Sequence, residues 1–226
     1  MNVASRRALV ALALLVPAPT LGVAVAMWWW PGPWGRGVYF AAKVWIVALP
    51  LIWHLVVEGR RPSWSPIQRG GLGTGAALGV LSAAAIVAAY VLLRHSIDPA
   101  AVHTKILEMG LETPTRFIAA SAGWILVNSL VEEVVWRWFV TSRWQQLVAT
   151  PAAIGLSALC FTLHHVVALA AYLPFALVLL ASTGVFLAGA MWSWLWARTG
   201  SIWPAWIAHV AADAAIFTVG YLLVFG

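Results

Sequence analysis

Residues 71–93 read GLGTGAALGVLSAAAIVAAYVLL, twenty-three positions without one charged side chain. At about 1.5 Å of rise per residue, a helix of that length reaches roughly 35 Å and can cross a hydrocarbon core of about 30 Å. Within it Gly71, Gly75 and Gly79 fall four apart on one helical face. That pattern lets two helices approach closely in lipid.

The same test applied outward finds further spans at approximately 8–29, 37–57, 117–140, 151–170, 172–197 and 201–225. The expected fold is all-α, a polytopic transmembrane bundle of about seven spans. The apolar runs are too long, and too little alternating, for a membrane barrel. Between spans, the connection from Arg94 to Arg116 carries Asp98, Lys105, Glu108 and Glu112 around Ile106, Leu107 and Met109, the pattern of a short surface helix. We divide the chain into N-terminal membrane helices with their surface connection (1–116) and a C-terminal core (117–226).

Composition agrees with this assignment. Of 226 residues, 63% are hydrophobic and 9% charged, against about a quarter charged in soluble domains. Disorder, a disulfide scaffold and an ordinary cytosolic enzyme are set aside. The net charge is +6, but no basic run exceeds two residues, so nucleic acid is not an expected partner and the lipid bilayer is. The single Cys160 lies mid-span and has no second cysteine to pair with.

The basic residues orient the bundle. With the N-terminus inside, Arg6, Arg7, Arg60, Arg61, Arg69, Arg143 and Arg198 fall on the inner side, against Arg36, Arg94, Lys105 and Arg116 outside. This favours a multi-pass protein of the cytoplasmic membrane with a cytoplasmic N-terminus. Lys43 and Arg137 fall within spans and are not counted. The first segment has a second reading, because Arg6-Arg7, an apolar run and Ala24-Val25-Ala26 resemble a signal peptide. Pro17, Pro19 and the continuation to Trp28-Trp29-Trp30 favour a broken membrane helix. Trp28, Trp29, Trp30 and Trp34 gather at one side, and Trp138, Trp144, Trp194, Trp196 and Trp203 at the other, as interfacial anchors or packing residues.

Charged groups inside spans cost about 2.5–3.5 kcal/mol each and are kept there for a task. Glu132, Glu133 and Arg137 stand in VEEVVWRWF (131–139), Asp213 and His209 in WIAHVAADAA (206–215), and His164 and His165 in CFTLHHVV (160–167). Glu133 and Arg137, four apart, are expected to form a buried ion pair. Glu132 points about 100° away around the helix and is left without a local partner. His209 and Asp213 are also four apart, so Asp213 can orient the imidazole or share its proton. Glu132 and His209 each sit about eight residues, roughly 12 Å, from the expected ends of their helices. His165 lies deeper unless its helix starts beyond 151. His54, near Glu58, is expected to be interfacial.

A carboxylate with two imidazoles in a partly dry cavity can take a proton from water and stabilise the oxyanion formed when that water attacks a carbonyl. A carboxylate held away from bulk water is a stronger base. The sequence has no nucleophile elbow and no HExxH.

These residues resemble a known family. EEVVWR matches EExxxR, FTLHH matches FxxxH through Phe161 and His165, and HVAAD matches HxxxN/D through His209 and Asp213. TGSIWPAWIAH (199–209) resembles the lead-in to the third motif. The family is the CPBP intramembrane glutamic endopeptidases, which include CAAX prenyl proteases and Abi-type proteins; the likeness covers about 117 to 226. It implies Glu132 as general base, His165 sharing the activation of water, and His209 facing the oxyanion with help from Asp213. Glu133, Arg137 and Phe161 support the site, with His164 as packing or an outer neighbour. Two positions depart from the pattern. Trp138 stands where Gly is common, which could reshape the cavity mouth. Asp213 replaces the more frequent Asn, so it must be protonated to donate to an oxyanion, or else orient His209.

Two other functions fit buried Glu, His and Asp: a proton-coupled transporter, and a non-catalytic Abi-type membrane protein conferring bacteriocin immunity. For the enzyme we expect no cofactor. Zinc is the alternative these ligand types allow. The expected substrate is a membrane-embedded or lipidated protein or peptide, whether a prenylated tail, a sorting-signal helix or a pheromone.

Overall fold

A computed structural model describes residues 2–61, 65–67 and 70–226. Arg69, one of the residues used for orientation, lies outside them. Among the described residues there are no strands, and seven helices are long and apolar enough to cross a membrane. They are α1 (Val3–Trp29), α2 (Pro33–Val57), α3 (Leu72–Ser96), α5 (Pro114–Trp144), α6 (Thr150–Leu169), α7 (Phe175–Thr199) and α8 (Trp203–Phe225). The surface helix α4 (Pro99–Glu108) lies between α3 and α5, capped by Asp98, whose carboxylate accepts from Ala100 N at 2.9 Å. Pro17 and Pro19 do not split α1 into two crossings. Val16 keeps a helical backbone (φ −59°, ψ −40°) and the path continues.

The bundle is inside-out relative to a soluble protein. Leu92, Phe175 and Val56 are exposed, while Glu132, Glu133, Arg137 and His209 are buried. Outward apolar groups cost nothing in hydrocarbon, whereas buried polar groups can satisfy one another. The central core joins Leu12 and Leu15 of α1, Ile46 and Leu49 of α2, Trp136, Phe139 and Val140 of α5, Phe161 of α6, Trp192 of α7 and Ala208 of α8. Trp28, Trp29, Trp30 and Trp34 are exposed at one end of the bundle. Trp203 at the other end donates to Ser65 O at 2.8 Å.

The glycine stripe of α3 packs along α8. A Cβ at residue 75 would lie 2.9 Å from Pro204 Cα, and one at residue 79 would lie 3.0 Å from Ala208 Cα. Because the obstruction at Gly75 is backbone, the helices must separate to admit even a methyl group. Gly75→Ala is expected to destabilise the protein by about 1–3 kcal/mol. Gly73→Ala, with nothing within 4 Å of its Cβ, should be neutral or slightly stabilising. Thermal unfolding in lipid compares the two; equal stability would show that the α3–α8 contact is looser than described.

Helix α5 carries wide π-helical turns at Trp124–Asn128 and Val134–Thr141. Such turns leave carbonyls displaced from regular α bonding and recur at functional sites. At the second, the hydroxyls of Thr141 and Ser157 approach Trp136 O at 2.8 and 3.2 Å, and Ser193 lies 3.3 Å from Thr141 Oγ1. This buried node ties α5, α6 and α7 just beyond the acidic pair. Arg143, counted above among the orienting residues, is buried; its Nη1 lies 2.6 Å from Glu58 Oε1 of α2.

Candidate active site

The polar groups of α5, α6 and α8 meet in the interior. Glu132 lies twelve residues before the end of α5, His209 six after the start of α8, and His165 fifteen after the start of α6. Glu132 and His209 nonetheless meet at one level of the bundle, with Oε2 3.8 Å from Nε2, and α6 starts at Thr150 rather than later. The helices are staggered, α5 extending beyond α8.

His209 is the hub. Its Nδ1 lies 2.8 Å from Glu133 Oε1, and since a carboxylate only accepts, Nδ1 carries the proton. Nε2 faces Glu132 Oε2 at 3.8 Å and Asp213 Oδ1 at 3.6 Å. Trp192 of α7 stacks on the ring at 4.0 Å, 18° from parallel. Glu133 bridges to Arg137, whose Nε is 3.2 Å from Oε2, with both side chains fully buried. The expected ion pair is present, and Glu133 also accepts from His209 Nδ1, while Asp213 lies on the Nε2 side of the ring. The Arg137 guanidinium is 4.8 Å from the Phe161 ring centre and 5.3 Å from that of Trp192. A weakly hydrated planar cation accepts such aromatic faces in place of water.

Glu132 has a local partner after all. Asn128, one turn earlier, donates from Nδ2 to Oε1 at 3.0 Å. Lys43 of α2 donates to Asn128 Oδ1 at 2.7 Å and lies 3.6 Å from Glu132 Oε1. The two carboxylate oxygens thus differ: Oε1 is held from the α2 side, and Oε2 faces His209. Both acidic neighbours reach His209 despite diverging around α5, because they approach opposite edges of the ring.

His165 Nδ1 is 2.9 Å from Phe161 O. A carbonyl only accepts, so this nitrogen is the donor, and in the neutral ring Nε2 carries the lone pair. His165 interacts electrostatically with Glu132 and is only partly buried. His164 stacks on Trp136 at 5.5 Å and 8°. Trp138 packs edge-on to His54 at 5.1 Å. His54 is itself buried, with Nε2 3.0 Å from Arg61 O. Cys160 is a buried free thiol. Among the described residues, no group of three or more His, Cys, Asp or Glu side chains is arranged to hold a metal ion.

Sequence reasoning missed Lys43, Asn128 and Trp192. Lys43 carried a usable signal, a lone charge within an apolar span, the same signal that singled out Glu132. Asn128 lies four residues before Glu132 on the same helix face.

Fold and site together define a class: a polytopic membrane protein with carboxylates and imidazoles gathered between its helices. Residues 114–215 match the family model described as type II CAAX prenyl endopeptidase Rce1-like. The match supports a CAAX-type intramembrane protease of the CPBP family, in agreement with the three motifs. No curated protein and no solved structure matches the chain.

Proposed function

We propose that the protein is an intramembrane endopeptidase that hydrolyses a peptide bond in the C-terminal or membrane-embedded part of its substrate by direct attack of water. The observation that carries this reading is the pairing of Glu132 Oε2 with His209 Nε2 at 3.8 Å. That gap exceeds a hydrogen bond, so a reacting oxygen about 3 Å from each is within reach of both. Glu132 takes a proton from water as the hydroxide adds to the scissile carbonyl carbon, and His165 Nε2 accepts a hydrogen bond from the same water. His209, as the imidazolium, keeps Nδ1–H on Glu133 Oε1 and turns Nε2–H toward the oxyanion. The C–N bond then breaks as Glu132 returns its proton to the leaving amine. Asp213, on the Nε2 side of His209, lies beside the oxyanion rather than behind the imidazole. The cytoplasmic N-terminus belongs to the same proposal, on the distribution of basic residues.

The test presents lipid-reconstituted protein with two probes, a farnesylated C-terminal peptide and an unlipidated transmembrane peptide. Cleavage of either that disappears with Glu132→Gln supports the reading. Proton or solute flux dependent on Glu132, without cleavage, would replace it by the transporter. We further propose chemistry without a metal. Activity is expected to survive exhaustive chelation, and a stoichiometric metal whose removal abolishes cleavage would overturn that part.

A further inference from the structure

Lys43 lies outside the segment that matches the protease family, on a helix assigned to the N-terminal half, yet its ammonium reaches the acidic centre. Among the described residues it is the one Lys or Arg within ion-pair distance of Glu132, since Arg137 pairs with Glu133. Its contact with Asn128 has a directional consequence. An ammonium only donates, so it takes the Asn128 amide oxygen, and this turns the amide nitrogen toward Glu132. Glu132, an acceptor when ionised, favours the same amide orientation from its own side, and Lys43 reinforces it by taking the amide oxygen. The Lys43 side chain is 28% exposed while that of Glu132 is 7% exposed, so the cation enters from the margin of the site.

We propose that Lys43 is a positioning residue of the site, which fixes the Asn128 amide as a donor and holds Glu132 in its ionised form with Oε1 occupied and Oε2 free. This deepens the protease reading and rests on it for the role of Glu132. Other charged and titratable groups also bear on Glu132: His209 of α8, with Asp213 beyond it, His164 and His165 of α6, and Glu133 and Arg137 of α5. Among the described residues, none of these hydrogen-bonds to the Asn128 side chain. A site so built is incomplete without α2.

The test does not depend on cleavage. A hydrophobic carbodiimide, dicyclohexylcarbodiimide, reacts with protonated carboxyls in membranes, and fragment masses distinguish adducts on Glu132 and Glu133. An opposite charge within about 4–6 Å changes the protonated fraction of a carboxyl by about tenfold or more. At neutral pH in lipid vesicles, Lys43→Met is expected to raise labelling of Glu132 about tenfold. Lys43→Arg should keep it near the wild-type level, and Glu133 should be unchanged throughout. Lys43→Gln, which removes the charge but keeps a donor for Asn128, replaces Lys43→Met if that variant fails to insert. Unchanged labelling of Glu132 in the variant lacking the cation would overturn the proposal. So would an equal rise at Glu133, which would mark general loosening. If the labelling pattern holds but no substrate is cleaved, the protease reading fails and the Lys43–Asn128–Glu132 arrangement stands.

Discussion

Glu132→Gln is expected to lower the rate of peptide-bond cleavage by about a hundredfold to ten-thousandfold while the protein still inserts and folds. Gln has nearly the shape of Glu and presents an oxygen that can still accept from Asn128, so the 3.0 Å contact is retained. The capacity to remove a proton from water is lost. Because the side chain is buried at the meeting of α2, α5 and α8, water cannot restore the base from another direction. His165→Ala and His209→Ala are expected to abolish cleavage as well, the first by removing the second acceptor for the attacking water, the second by removing the oxyanion donor. Single-turnover cleavage in lipid measures all three, with unfolding temperature as the control for structure. Full activity in Glu132→Gln would remove the general base from the account.

The adjacent carboxylate should behave in the opposite sense. Glu133→Ala strips the partner from Arg137, whose side chain has no exposed surface, and truncating one member of a buried pair costs about 3–5 kcal/mol. Loss of the fold, or a large fall in unfolding temperature, is the expected result. Adding Arg137→Met to Glu133→Ala removes the stranded cation and should recover much of the stability. Activity should not return, because His209 Nδ1 would still lack the acceptor now at 2.8 Å. Stability equal to wild type in Glu133→Ala alone would show that the pair is not a structural tie.

The contrast between these two glutamates marks the boundary of what the chain alone discloses. Apolar runs fix seven crossings because the bilayer sets a minimum length, and Glu132, Glu133, His209 and Asp213 stand out because lipid offers them no solvation. The pairing of Glu133 with Arg137 is local and follows from helical spacing. Which nitrogen of His209 meets which carboxylate depends on how α8 faces α5, a tertiary matter without a one-dimensional signature, so the contact of Glu133 with Nδ1 is not legible in the sequence. Lys43 stands within a span with no acidic residue within two turns of it along the chain. Its value as a site residue emerges only when Asn128 is seen between it and Glu132. Helix ends are less legible: α5 extends over Pro114–Trp144, beyond the expected 117–140, and carries two π-helical turns that the apolar run does not announce.

The most direct test of a Glu132-dependent protease compares the C-termini of membrane-fraction proteins and peptides from cells making the wild type with those from cells making equal amounts of Glu132→Gln. The account predicts a set of new C-termini, arising near or within membrane-embedded or lipidated segments, present with the wild type and missing with the variant. Identical sets of C-termini in the two cell populations, with both proteins inserted, would contradict it.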